Sequence, residues 1–292
     1  MNFKDQLTYR LQQLNQAEKL ILVNIICFVV PLFLKTILFL FKIPSDIFIG
    51  WFELSADWED LIFKPWTILT YSFMHSGFFH LFWNMYLLYF ASSLFLNLFP
   101  SRMFFNVYFL GVLLGGLTFL LSYSVFPAFQ NFSPIMVGAS AGVMAIFIFI
   151  STYLPDQEVR LIFFNIKLRF LGIAFVLFDV IQIPYGNAGG HLAHLGGAAL
   201  GYFYVQRINQ GVDIGLPFEA FINRFMNLFK KPSKLKTVYK SKSRSSSKKK
   251  EFNGDQNQQK IDSILDKISK SGYDSLSQKE KDLLFKAGNN NK

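Results

Sequence analysis

Histidine is scarce in this sequence, and its four copies fall in two close pairs, His75 with His80 and His191 with His194. Asn84 follows His80 by four residues, which on a helix is the same face about one turn further on. Between the pairs lies Ser140, within the small-residue run Gly138-Ala-Ser-Ala-Gly142. The chemistry that uses this set is acyl transfer. A serine hydroxyl is a poor nucleophile until a nearby base takes its proton, and an imidazole is the usual base. The tetrahedral intermediate carries an oxyanion that needs fixed donors. The Asn84 amide, a His80 ring N–H and a backbone N–H near Ser140 can supply them. No acid stands near His194 in the sequence, so a Ser–His dyad is expected rather than a triad.

Each of these residues has a plainer reading. Serine with glycine and alanine commonly lines helix contacts in membranes. Gly111-x-x-x-Gly115-Gly116 and Gly197-x-x-x-Gly201 are most simply packing faces. Asp179 is read as a hydrogen-bonding partner for a neighbouring helix or water, and His191 as a wet residue or a substrate contact. His191-x-x-His194 could in principle ligate zinc. However, the H-E-x-x-H pattern of zinc peptidases is missing and no carboxylate sits among the histidines in sequence. Neither a metal nor a cofactor is expected.

The elements that must carry these groups are membrane helices. Hydrophobic residues make up 52% of the 292 and charged residues 16%, against roughly a quarter in a soluble domain. Thirty-six phenylalanines add to an apolar surplus that a bilayer accepts directly. Six spans are expected: Ile21–Phe41, Thr70–Phe99, Met103–Val125, Ile135–Leu154, one within Ile162–Ile183, and Ala188–Arg207. Lys and Arg collect before the first span (Lys4, Arg10, Lys19), after the second (Arg102) and after the fourth (Arg160, Lys167, Arg169). The first outer segment instead carries Asp46, Glu53, Asp57, Glu59 and Asp60, with Lys42 and Lys64 at its edges, and 127–134 and 184–190 carry no charge. All links agree with one topology, both termini cytoplasmic. Spans two, four and six then start outside, which brings His80, Asn84, Ser140 and His194 to similar depth.

The formal net charge of +10 is matched by residues 230–250 alone, with nine lysines, Arg244 and no acid. Such a segment past a last membrane helix suits anionic lipid headgroups or a plain basic tail, so nucleic acid is not expected as a partner. Cys27 is the single cysteine, which excludes an intrachain disulfide. The polar N-terminus shows no cleavable signal peptide, and a bacterial inner membrane is expected. The chain divides into 1–207, a six-helix membrane domain; 208–256, an amphipathic helix and basic linker; and 257–292, a small helical module. In that module Ile261, Ile264, Leu265 and Ile268 form a stripe, and Ser277 with Glu280 resembles a capping box.

Three motifs give a more specific reading. His75-Ser-Gly-Phe-Phe-His80-Leu-Phe-Trp-Asn84 resembles the second-helix motif of rhomboid proteases, Gly138-Ala-Ser140-Ala-Gly142 their nucleophile motif, and Ala193-His194-Leu-Gly-Gly197-Ala-Ala-Leu-Gly201 their sixth-helix motif. The three occur in the family's order, on the expected spans. The resemblance implies an all-α bundle of six transmembrane helices, and cleavage of single-pass transmembrane proteins near the outer face. It also implies Ser140 as nucleophile, His194 as base, and His80 with Asn84 as oxyanion stabilisers, with Gly138 and His75 in support. The Trp-Arg pair of many rhomboid first loops is absent, since none of Trp51, Trp58 or Trp66 precedes an arginine. An inactive, client-binding relative is the alternative, but such relatives usually lose the serine or histidine or place a proline beside the nucleophile. This chain keeps both residues and has Ala139 and Ala141 at those places.

Overall fold

The computed structural model describes residues 2–44, 49–130, 132–161, 164–229 and 254–289. It forms two compact units, 1–230 and 231–292. The basic run 230–250 lies outside the described residues.

The first unit opens with α1 (Phe3–Gln13) and α2 (Gln16–Leu40). Each starts at an asparagine whose side chain accepts from the N–H three residues on while the acid there reaches back: Asn2 with Asp5, Asn15 with Glu18. A segment of short pieces follows: β1 (Leu54–Ser55), α3 (Trp58–Phe63) and α4 (Thr67–Thr70). The core helices are α5 (Phe78–Leu96), α6 (Ser101–Val125), α7 (Ser140–Tyr153), α8 (Leu168–Gln182) and α9 (Ala188–Asn209). Short strands sit in the links: β2 (Ile135–Met136), and the hairpin of β3 (Glu158–Leu161) with β4 (Phe164–Lys167). An amphipathic helix, α10 (Leu216–Phe229), ends the unit, with Phe221 and Met226 exposed.

The architecture is the expected all-α bundle, with corrected span boundaries. Among the described residues, four helices are long and apolar enough to cross a membrane: α2, α5, α6 and Leu168–Tyr185. The second span begins at Phe78 rather than Thr70, because residues 70–77 break into the end of α4, a tight turn at Tyr71–Phe73 and a loop. The fourth begins at Ser140 rather than Ile135, because Ile135 and Met136 pair with Ser55 and Leu54. At 14 residues α7 rises about 21 Å, short of the roughly 30 Å hydrocarbon core. The sixth, α9, has 22 residues but is rich in Gly and Ala rather than in large apolar side chains.

Helix α7 is the axis. Ala141 through Ser151 are all buried, inside a wall made by α5, α6, α8 and α9. Without water between lipid-facing helices, association depends on close packing, which small residues allow. On α9, a Cβ at Gly197 would overlap the Ala141 carbonyl oxygen, and one at Gly201 would lie 2.9 Å from the Phe149 nitrogen. On α6, Gly111 and Gly115 receive the Cβ atoms of Ala145 and Ala141. The far end of α7 is filled by rings instead: Phe95 stands 4.9 Å from Phe149, and Phe99 4.8 Å from Tyr153, centroid to centroid. Small residues thus occupy the Ser140 end and aromatic bulk the other.

The loop segment before α5 is anchored without the Trp-Arg pair. Trp51 and Trp66 stack at 5.9 Å, Trp66 donates to the Trp51 carbonyl, and Trp58 donates to Ser124 Oγ at 2.7 Å. At the opposite links, Asp156 accepts from Lys167 at 3.0 Å and pairs with Arg169, and these bonds hold its carboxyl below the usual range.

In the second unit α11 (Gly254–Ser271) and α12 (Gln278–Asn289) pack with Ile264 and Leu276 buried. Half of the expected capping box is present: Glu280 accepts from the Ser277 N–H and hydroxyl, while its own N–H donates to the Ser277 carbonyl rather than to the hydroxyl. The Ser277 bonds and Lys267 lower the Glu280 carboxyl to about 2. The helix runs one residue beyond Gly288.

Substituting Gly197 by Ala should wedge α7 from α9 and cost about 1–3 kcal/mol, read as a lowered unfolding midpoint in detergent. Gly77→Ala, where a Cβ meets nothing within 4 Å, should shift it little.

Candidate active site

Ser140 owes its place to the turn just before it. Gly138 has φ of +127°, which a residue with a Cβ adopts only under strain, and its N–H donates to the Tyr71 carbonyl at 3.0 Å. Pairing of β1 with β2 ties the same loop down a few residues earlier. Ser140 is then the first residue of α7. Because Ala139 makes no side-chain cap, the N–H groups that open α7 point past Ser140 without helical partners. They form a donor-rich, partly positive end.

Two features of α9 bring His194 to the cavity that Ser140 lines. Gly197 lies against Ala141, and His194 stands three residues before Gly197 on the same face of α9. Ser140 and His194 line one cavity of about 750 Å³, together with His80, Asn84, Gly138, Asp179 and His191. The groups singled out in the sequence, other than His75, therefore meet at one place. His75 is set behind it, its ring edge-on to His80 at 5.1 Å, and lines a different pocket with Cys27 and Lys35.

On α5, His80 Nδ1 lies 3.0 Å from Ser76 Oγ and takes the Ser76 backbone N–H at 3.4 Å. Accepting that N–H leaves the proton on Nε2. A Cβ on Gly138 would come within 2.7 Å of this nitrogen, so only glycine leaves room for the His80 ring. Asn84 donates one amide hydrogen to the His80 carbonyl at 2.9 Å and retains a second N–H.

One expectation is overturned. A carboxylate does stand among the histidines: Asp179 on α8, its side chain 4% exposed, holds Oδ1 2.7 Å from His191 Nδ1 and 2.8 Å from His194 Nδ1. The sequence next to His194 offers no acid, yet the fold supplies one from 15 residues away across the turn between α8 and α9. Asp179 is thus a partner for a neighbouring helix, as its position on a span suggests. A carboxylate oxygen only accepts, so the His194 proton sits on Nδ1 and Nε2 is left as the basic nitrogen. These three residues also have metal-ligand types within 4.8 Å of one another. Tetrahedral zinc with bonds near 2.0–2.1 Å holds its ligands roughly 3.3 Å apart, so 2.7 and 2.8 Å fit hydrogen bonds better.

Residues 63–209, half of the chain, match the rhomboid domain family. The chain belongs to the rhomboid family. Its curated relatives include the presenilin-associated rhomboid-like protein, a mitochondrial protein. The Homo sapiens sequence is 30% identical over 142 residues, which is 47% of this chain and 36% of the relative, and the Bos taurus sequence 29% identical over 37% of its length. The match thus spans little more than a third of these relatives. They give the expectation of a bacterial inner membrane no support. Rhomboids are intramembrane serine proteases, and this member is an integral, multi-pass membrane protein. Residues 248–286 match a second family, one of unknown function (DUF6576).

Gly138→Ala should force a strained backbone, costing about 1–3 kcal/mol, and push on the His80 ring. We expect reporter cleavage to fall by at least about tenfold while the protein still purifies as a folded monodisperse species, measured by proteoliposome assay and size exclusion.

Proposed function

We propose that this rhomboid is an active intramembrane serine endopeptidase, with Ser140 as nucleophile and His194 as general base. The observation that supports the reading is the contact of Gly197 with Ala141, beside which His194 and Ser140 line one cavity. In the reaction His194 Nε2 takes the Ser140 proton as Oγ bonds the scissile carbonyl carbon. The imidazolium returns that proton to the leaving amine nitrogen when the C–N bond breaks. Water then repeats the sequence on the acyl-enzyme. The oxyanion is met by the free N–H groups at the start of α7, by His80 Nε2–H and by the second Asn84 N–H.

The reach of the cavity supports a substrate class. Its wall includes Phe79 and Trp83 on α5 and Phe178 on α8, all exposed on the apolar outside of the bundle. A single-pass transmembrane segment can therefore approach from lipid. Its peptide bonds are internally bonded in a helix, so it must unwind, and Gly- or Pro-rich positions ease that step. If the Tyr153 end of α7 sits at one surface, Ser140 lies roughly 9 Å beneath the other, by helix rise against hydrocarbon thickness. Loop charge makes that other surface the outer one, both termini being cytoplasmic. The exposed apolar face of α10 and the basic run after it suit an anionic lipid surface.

Ser140→Ala and His194→Ala should each abolish cleavage of a transmembrane reporter in liposomes, with unfolding midpoints preserved. Normal turnover by the Ser140→Ala protein would refute the mechanism. Asn84→Ala should lower kcat by about 10²-fold or more, and an unchanged kcat would remove it from the oxyanion site.

A further inference from the structure

Asp179 sits where a charged group is least affordable: on a membrane helix, almost fully buried. Intramembrane carboxylates are costly and persist where they have partners or work to do. Its partners are two imidazoles of the next helix, both bound through Nδ1 to the same oxygen, Oδ1. One of them is the proposed base. That ring lines the same cavity as Ser140. A helix-to-helix tether needs only one such bond. Two N–H donors converging on one carboxylate oxygen fix the carboxylate in position, and the carboxylate in turn fixes the ring.

We propose that Asp179 is a positioning residue for His194, and that His191 is the second donor that holds Asp179 in place. The arrangement is a chain from Ser140 through His194 and Asp179 to His191. It rests on the reading of His194 as general base. Asp179 fixes the Nδ1–H tautomer and ring orientation of His194, so that Nε2 keeps its lone pair toward Ser140. When Nε2 accepts the Ser140 proton, the imidazolium keeps Nδ1–H on the carboxylate, and the proton leaves again through Nε2 to the amine. Asp179 itself takes no proton. His191 needs to touch neither substrate nor Ser140, and it acts by holding the carboxylate. Among the described residues, the titratable groups around the same cavity are Tyr71, His80, Tyr123, Asp179, His191 and His194, and of these Asp179 alone is a carboxylic acid.

The test uses the full chain in liposomes, with a transmembrane reporter and thermal midpoints measured in parallel. Asp179→Asn keeps the shape and an acceptor but loses the charge. It should lower kcat by about 10²-fold or more, bounded near the roughly 10⁴-fold seen when a serine-protease triad acid is removed, with KM and midpoint little changed. Asp179→Glu should retain more activity than Asp179→Asn although it fits the site less well. His191→Phe should lower kcat less than Asp179→Asn does. Wild-type kcat in Asp179→Asn would overturn the inference, as would midpoint loss and a raised KM tracking the lost activity. Ser140→Ala and His194→Ala run beside them. If those two are inactive while Asp179→Asn is normal, this inference alone fails. If they too turn over, the serine mechanism fails with it.

Discussion

The bundle depends on a backbone-to-backbone contact between α7 and α9. Nothing but hydrogen fits between Gly197 and the Ala141 carbonyl, or between Gly201 and the turn from Ala145 to Phe149. Inside a bilayer, helices gain little from hiding apolar side chains, because lipid is equally apolar, and close packing has to do the work. Here it also sets register. Moving α9 along α7 so that Ala198 took the place of Gly197 would drive a methyl into that carbonyl, where none fits. Because His194 is one turn from Gly197 and Ser140 precedes Ala141, the contact that holds the bundle together also holds the two groups proposed to carry the chemistry.

Distribution of bulk along α7 decides where a cavity can exist. Phe95, Phe99, Phe149 and Tyr153 fill one end, while Gly and Ala leave room at the other. His80, Asn84, Asp179, His191 and His194 gather at that open end. There α7 begins, and its unpaired N–H groups add donors that no side chain has to supply.

Much of this is legible in the sequence, for definable reasons. Apolar runs and loop charge mark the spans, and the Gly-x-x-x-Gly pattern on α9 marks a packing face. Histidine marks the site, because its four copies are confined to two close pairs, and the motifs around Asn84 and Ser140 mark the rest. What stays hidden depends on separation in sequence. Asp179 lies 12 and 15 residues from its histidines, across a turn between helices whose length no periodicity fixes. The start of α7 is equally hard to read, because Ile135 and Met136 are as apolar as a helix would require, yet pair with Ser55 and Leu54 about eighty residues earlier. Trp51 and Trp66 anchor the first loop by stacking on each other, which the missing arginine does not foretell.

The proposed mechanism makes Ser140 an activated nucleophile. The most direct measurement is the site of covalent attachment when the folded protein reacts with a fluorophosphonate, read by peptide mass spectrometry. The adduct is expected on Ser140, and it should be lost in the His194→Ala protein. An adduct on another residue, or none under conditions where the protein cleaves its reporter, would contradict it.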